Sequence, residues 1–249
     1  MVPHWFGRWA EALVDSLDLQ ENQNVLDVAC GTGVTTRLAK AGVGPSGRVD
    51  GLDINQSMLA KAQEIAANHD IGWIKGDVGE TGLPSGSYDV IMSQHGYHYF
   101  PDKPRALAEF RRLLVEGGRM AFSIWDGHSP YTLALCDAVQ RHISVDIADK
   151  QRSQRETSTS SELISQVEKA GFSAVEVHRQ ELMIDVPPAV EFVPLHLGSM
   201  PIAEAFHALS EAKKTALIED VSDSMAMYVQ EDSSRLLYQD SVHVVFGTN

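Results

Sequence analysis

The stretch VLDVACGTGV, residues 25–34, constrains the fold more than any other part of the chain. An apolar run, VLDVAC, leads directly into Gly31 and Gly33, and TTRLAKA continues with helical character. A short strand apolar on both faces is the mark of a buried parallel strand. A glycine bend between such a strand and a helix is the place where open α/β sheets bind their ligands.

The rest of the first half repeats the alternation. RVDGLDI, IGWIKGD, SYDVIMSQ and RMAFSIWD read as strands. SMLAKAQEIAANH and PRALAEFRRLLVEGG read as the helices between them, the latter started at Pro104 and stopped at Gly117 and Gly118. Ahead of them, Phe6, Trp9, Ala10, Leu13 and Leu17 follow helical spacing. Strands alternating with helices over 20–126 imply a parallel sheet covered on both faces, with right-handed crossovers. FSAVEVHRQELMID and SVHVVFG supply a sixth and a seventh strand, and Thr159 and Glu162 have capping-box spacing for the helix ELISQVEKAG. Residues 151–161 read as a polar loop.

The expected fold class is therefore α/β: a Rossmann-like, doubly wound seven-stranded sheet, mostly parallel with an antiparallel last strand, plus a helical lid. One domain spans 1–249, with a cofactor-binding core at 20–126. The helical segments 127–160 and 187–230 do not belong to a minimal sheet and are read as lid insertions over the substrate.

Composition narrows the partners. A formal net charge of −14, with no run of Lys or Arg longer than two, argues against nucleic acid. Cys30 and Cys136 are too few for a disulfide framework or a zinc site, so no metal is expected. No apolar run approaches the roughly 18 residues of a membrane span, and the start of the chain lacks a signal-peptide core. A cytoplasmic protein acting on a small molecule is the expectation; composition leaves the oligomeric state open.

Two ligands suit a glycine bend. A dinucleotide site wants Gly-x-Gly-x-x-Gly, but Thr36 stands at the third position. Three acids appear instead at or after strand ends: Asp27, Asp53 and Asp77. Glycines let a backbone approach a ligand closely. An acid ending the second strand can accept both hydrogens of a ribose diol, and one after the third strand can accept from an adenine amine. An acid in the first strand sets a negative field for an ammonium. S-adenosylmethionine carries all of these groups.

The ordered set resembles the class I S-adenosylmethionine-dependent methyltransferases, of the methyltransferase-11 type that acts on small molecules. The motif (D/E)-x-(G/A)-x-G-x-G reads here Asp27, Val28, Ala29, Cys30, Gly31, Thr32, Gly33. Asp53 in VDGLDIN and Asp77 in WIKGDV supply the next two motifs, and SYDVIMSQHGYHYFPD the fourth. The resemblance implies that Gly31 and Gly33 cradle the methionine part and that the Ala29 carbonyl meets the ammonium. Asp27 and Thr32 complete that loop. It further implies that Asp53 binds the ribose and that Ile54 and Met58 flank the adenine. Asp77 and the Val78 backbone meet the ring, while Ser93 and Gln94 line the methionine side.

A methyl group on a sulfonium is already activated, so alignment and exclusion of water do most of the catalysis. His95 and His98, in SQHGYHYF, are the candidate general bases. Tyr97 and Tyr99 offer aromatic faces beside them, and Trp5, Phe6 and Trp9 can either close over a pocket or pack in the core. The apolar side chains Leu195, Leu197, Met200, Phe206, Met225 and Met227 suggest an apolar or aromatic acceptor, a quinone-like or a secondary-metabolite precursor, with the acceptor atom (O, N or C) left open. Two rival readings are a non-catalytic S-adenosylmethionine-binding module and an NAD-linked oxidoreductase.

Overall fold

A computed structural model describes residues 5–200 and 202–249. Seven strands form one sheet: β1 (Asn24–Val28), β2 (Arg48–Asp53), β3 (Gly72–Lys75), β4 (Tyr88–Gln94), β5 (Leu114–Trp125), β6 (Ser173–Val186) and β7 (Leu236–Thr248). Their order is β3-β2-β1-β4-β5-β7-β6, with the last strand antiparallel to the other six. The reversal of strand order between β1 and β4 brings the loops after these two strands side by side, which is where a doubly wound sheet binds its ligand.

Helices connect the parallel strands: α2 (Val34–Val43), α3 (Gln56–Ile65) and α4 (Lys103–Leu113), preceded by α1 (Phe6–Leu17). In α1, four of the five apolar side chains at helical spacing, Trp9, Ala10, Leu13 and Leu17, are buried, and Phe6 is only partly so. Trp9 thus packs in the core rather than standing free to close over a ligand.

The chain forms two compact units. The sheet unit comprises 9–124, 158–179 and 243–249. One of its faces is a core of Leu26, Val28, Ile91, Phe110, Phe122 and Val167, to which α7 (Ser160–Lys169) contributes. α7 starts with the expected capping box, Thr159 and Glu162 exchanging hydrogen bonds.

The helical unit comprises 5–8, 125–157 and 180–242. It holds α5 (Pro130–His142), α6 (Val145–Ser153), α8 (Ala189–Leu197), α9 (Ala203–His207) and α10 (Glu211–Ser224). α5 packs on α6 and on α10, and α10 also on α8. The spacing of Leu217, Val221, Met225 and Tyr228 predicts one helical stripe; the first three are buried, whereas Tyr228 lies past the end of α10 and is only half-buried. Leu197 and Phe206 are buried too, whereas Leu195 and Met227 are exposed. Composition had grouped these residues as one adaptable surface; half of them are interior packing.

Two boundaries differ from expectation. α4 ends at Leu113, and Gly117 and Gly118 lie inside β5. Leu114 pairs with Tyr88 while Arg119 pairs with Val90, so extra residues bulge out of β5 there. Gly117, at φ 73°, supplies the left-handed residue that such a bulge needs. The polar run 151–161 begins as helix, because Ser144 caps α6 and Arg152 pairs with both Asp149 and Asp137.

Inside the helical unit an ion pair is nearly sealed from solvent. Arg155 donates two hydrogen bonds to Asp240, at 2.8 and 3.0 Å, and its guanidinium lies 3.9 Å from the centre of the Trp125 ring. Removing one member strands the other charge in a medium that cannot solvate it. Asp240→Ala is expected to cost about 3–5 kcal/mol of unfolding free energy, measured by denaturant titration; a loss below about 1 kcal/mol, typical of an exposed pair, would contradict this burial.

Candidate active site

The site is built where β1, β2 and β4 end. β1 and β2 run in register, Val28 beside Leu52, and the ladder continues as Cys30 N–H donates to the Leu52 carbonyl at 3.1 Å. The chain then bends through left-handed conformations at Ala29 (φ 56°), Gly31 (φ 55°) and Gly33 (φ 73°). The bend closes with Gly33 N–H on the Cys30 carbonyl, 2.8 Å. It also aims Gly31 N–H at Asp53 Oδ2, 2.8 Å away.

Asp53 does not cap α3. Its second oxygen accepts Asn55 N–H at 2.8 Å, and Asn55 is the cap, accepting from Ser57 and Met58 N–H. The carboxylate is therefore fixed at the mouth of the bend with two of its roughly four acceptor sites in use. Ile54 and Met58, which follow Asp53 at the start of α3, are 68% and 40% exposed.

Asp27 lies on β1 beneath the bend and is fully buried. Thr36 Oγ1 donates to its Oδ2 at 2.6 Å. Burial raises its carboxyl to a pKa of about 7, against the opposing Thr36 hydrogen bond and with a smaller push from the negative Asp53. The Thr32 carbonyl accepts from Arg37 at 2.8 Å, which ties the bend to the first turns of α2. Burial pushes the Cys30 thiol far above its ordinary range, which disfavours the thiolate.

The end of β4 faces the same place. A Cβ added at Gly96 would lie 2.5 Å from Ser93 Oγ and 2.7 Å from the Ala29 methyl, so the loops after β1 and β4 are in close contact. Ser93 is buried, and its hydroxyl has no hydrogen-bond partner among the described residues. Gln94 Oε1 accepts from Thr35 Oγ1 at 2.8 Å. His95 is buried in a left-handed conformation (φ 52°), its N–H donating to the Ser123 carbonyl. His98 is half-buried and lies 4.0 Å, ring to ring, from the exposed Tyr99. Tyr97 is not an aromatic face of the site: it is interior, stacked on Phe122 at 4.1 Å, with its hydroxyl donating to Gln166.

Asp77 is exposed after β3 and accepts Gly79 N–H at 2.7 Å, which orders its own turn. The Val78 side chain packs against the core.

Sequence reasoning missed four supporting residues. In sequence Thr36 only breaks the dinucleotide pattern, yet its hydroxyl is the partner of Asp27. Thr35 orients Gln94, and Asn55 links Asp53 to α3. Trp73 fills the space beside two glycines: a Cβ at Gly33 would come within 2.3 Å of its ring, and one at Gly51 within 2.8 Å. Paired hydroxyls just after a glycine bend were the one visible signal.

These features fit S-adenosylmethionine. A Cβ built at Gly31 meets nothing within 4 Å, so the bend has open space on its outer side. An unpartnered buried hydroxyl at Ser93, a carboxylate with spare acceptor capacity at Asp53 and exposed apolar flanks at Ile54 and Met58 match an amino acid, a ribose and an adenine in turn. Among the described residues no cluster of His, Cys, Asp or Glu could hold a metal, and no helix is long and apolar enough to cross a membrane.

Residues 25–118 match a family model described as a methyltransferase domain. The 2-phytyl-1,4-naphtoquinone methyltransferase of Thermosynechococcus vestitus is 39% identical over 128 residues, 51% of this chain and 56% of that protein. A demethylmenaquinone methyltransferase of Listeria monocytogenes is 32% identical over 117 residues, 46% of this chain and 49% of that one. The chain thus spans about half the length of the curated relatives it matches. Among solved structures, Haemonchus contortus phosphoethanolamine N-methyltransferase 2 in complex with S-adenosyl-L-methionine has a TM-score of 0.62 at 17% identity, covering 97% of this chain and 52% of that one. A SAM dependent methyltransferase from Aquifex aeolicus has a TM-score of 0.54 at 16% identity, covering 95% and 88%. Residues 25–118 are thus similar to a methyltransferase domain, and they lie on a sheet whose strand order is that of the Rossmann-like methyltransferase fold.

Proposed function

We propose that the protein transfers a methyl group from S-adenosylmethionine to a small apolar or aromatic acceptor of quinone-like chemistry. The observation that carries the reading is Asp53, held by two backbone N–H groups at the mouth of a glycine bend with acceptor capacity to spare. Two of the relatives above are named for naphthoquinone and menaquinone substrates, which supports a fused-ring acceptor.

The donor supplies a methyl group activated by its sulfonium. Asp53 would hold the ribose hydroxyls, Ile54 and Met58 would flank the adenine, and Asp77 and the Val78 backbone would meet its ring. Gly31, Thr32 and Gly33 bring the backbone close to the methionine part, while the Ala29 carbonyl, Ser93 and Gln94 hold its polar end. Asp27 favours the ammonium from below. His95 and His98 are assigned to take the acceptor's proton. The helices over 127–160 and 187–230 are assigned to choosing the acceptor.

Asp53→Ala should weaken binding of S-adenosylhomocysteine by roughly 1–3 kcal/mol, about 10- to 100-fold, read by calorimetry. Unchanged affinity would remove the ribose role. His95→Asn keeps a residue that tolerates the left-handed backbone. If His95 is the base, this variant lowers turnover by roughly 10²–10⁴-fold while donor affinity holds. His98→Asn tests His98 in the same way, and full turnover in both variants would take both out of the chemistry.

Asp27 adds a pH dependence. Its folded pKa of about 7 lies above the unfolded carboxyl value, so the native state prefers the protonated form. Stability is then full in acid and falls as pH rises toward and through 7. A cationic ligand favours the ionised form, so donor binding should tighten from pH 6 to 8 and release a proton. Asp27→Asn, whose side-chain oxygen still accepts from Thr36, should melt higher than wild type at pH 8, equal it near pH 4, and lose the pH dependence of donor binding. A parallel pH profile in the variant would assign that dependence to another group.

A further inference from the structure

Trp5 lies in a turn just before α1, yet its side chain is only 3% exposed. Around it stand Trp125 at 5.7 Å between ring centres, Tyr131 at 5.7 Å, Phe192 at 6.1 Å and His196 at 4.9 Å. Tyr131 and His196 meet the indole edge-on, at 89° and 80°. Its Nε1–H donates to Asp240 Oδ2 at 3.1 Å. All of these residues belong to the helical unit. The result is an aromatic box that takes a flat ring with one hydrogen-bond donor on its edge.

Two features suit the box to a change of occupant. Asp240 does not depend on Trp5, because Arg155 binds both its oxygens and Ser241 N–H donates to Oδ1 at 3.0 Å. Withdrawing the indole therefore strands no buried charge. Tyr238, stacked on Tyr131 with ring centres 5.8 Å apart, buries its hydroxyl with no hydrogen-bond partner among the described residues. Buried polar groups in that state are rare in native proteins. The indole, which carries no acceptor, cannot satisfy it.

The walls also define the ligand's charge. His196 hydrogen-bonds Tyr131 at 2.9 Å, and burial holds it neutral. Asp240 is neutralised by Arg155. A net charge on the ligand would go unpaired, so the ligand is neutral. A ring hydroxyl in the place of the indole N–H can donate to Asp240 Oδ2 as the indole does.

We propose that this box binds a neutral, planar hydroxyaryl ring, and that Trp5 is its built-in occupant, displaced when the ring enters. The site lies wholly within the helical unit and goes beyond methyl transfer, since its occupancy is read with no methyl donor present.

The test uses 1-naphthol, titrated into the full chain by calorimetry. Wild type should bind it saturably. Trp5→Ala, freed of the competing indole, should bind roughly tenfold tighter. Trp5→Phe keeps a ring but loses the N–H to Asp240, and should fall between the two; if Trp5→Ala does not fold, an affinity for Trp5→Phe above that of wild type decides for the proposal. Naphthalene, without the hydroxyl, should bind the variants roughly tenfold more weakly than 1-naphthol. Equal affinities in wild type and both variants, no saturable binding in any of them, or naphthalene matching 1-naphthol would overturn the proposal. Calorimetry of Asp53→Ala with S-adenosylhomocysteine is independent of all these outcomes, so the two readings fail separately.

Discussion

One hydrogen bond organises the site: Gly31 N–H to Asp53 Oδ2 at 2.8 Å. It joins the bend after β1 to the end of β2, at a place where neighbouring parallel strands would otherwise separate into their own helices. The ladder between them runs to Val28 and Leu52 and gains one more rung at Cys30 N–H. The next available amide, at Gly31, turns to the carboxylate instead. Through its other oxygen Asp53 holds Asn55 N–H, and the Asn55 side chain starts α3. Bend, strand end and helix start are fixed by a single charged group. Hydrogen bonds to a charged acceptor contribute about 1.5–3 kcal/mol, more than neutral ones, so the geometry is set before any ligand arrives.

The alternation of strands and helices, the bend and the acids at strand ends were legible because each is a local property. An apolar run either meets a glycine or it does not. Partners across the fold were not legible. Asp53 and Asn55 are both good helix caps two residues apart, and only the backbone path decides that Asn55 takes the cap and leaves Asp53 to the bend. Thr36 could be seen to break a dinucleotide pattern, but nothing in the order of residues pointed its hydroxyl at Asp27. Leu197, Phe206 and Met225 could not be told from Leu195 and Met227 by type; which of them faces inward depends on how α8, α9 and α10 pack. Gly117 and Gly118 marked an irregularity correctly and its kind wrongly, since a helix stop and a strand bulge ask for the same left-handed residue.

Among the described residues six non-glycines have left-handed backbones, and two of them border the candidate site. Ala29 and His95 both carry left-handed backbones, at φ 56° and 52°, and they sit in the loops that follow β1 and β4. Such a conformation costs an ordinary residue about 1–2 kcal/mol. Ala29 stands where the strictest form of the motif has glycine, and its methyl group occupies space within 2.7 Å of where a Gly96 side chain would begin. The loops are therefore closely fitted: a side chain at 96 would meet both the Ala29 methyl and, nearer still, the Ser93 hydroxyl at 2.5 Å.

The buried Asp27 belongs to the same economy of form. A carboxyl with a pKa near 7 has lost much of its hydration, and Thr36 restores only part of it. Strained backbone at Ala29 and His95, an unpartnered hydroxyl at Ser93 and a desolvated acid at Asp27 all lie at the ends of β1 and β4. A sequence selected for stability alone would relieve each of them with a small substitution: glycine at 29, asparagine at 27, alanine at 93. Left-handed backbones and unpartnered buried groups also occur elsewhere, as at Ala174 and Tyr238, but at the switch point of the sheet they meet, and that is where a ligand-shaped surface is expected.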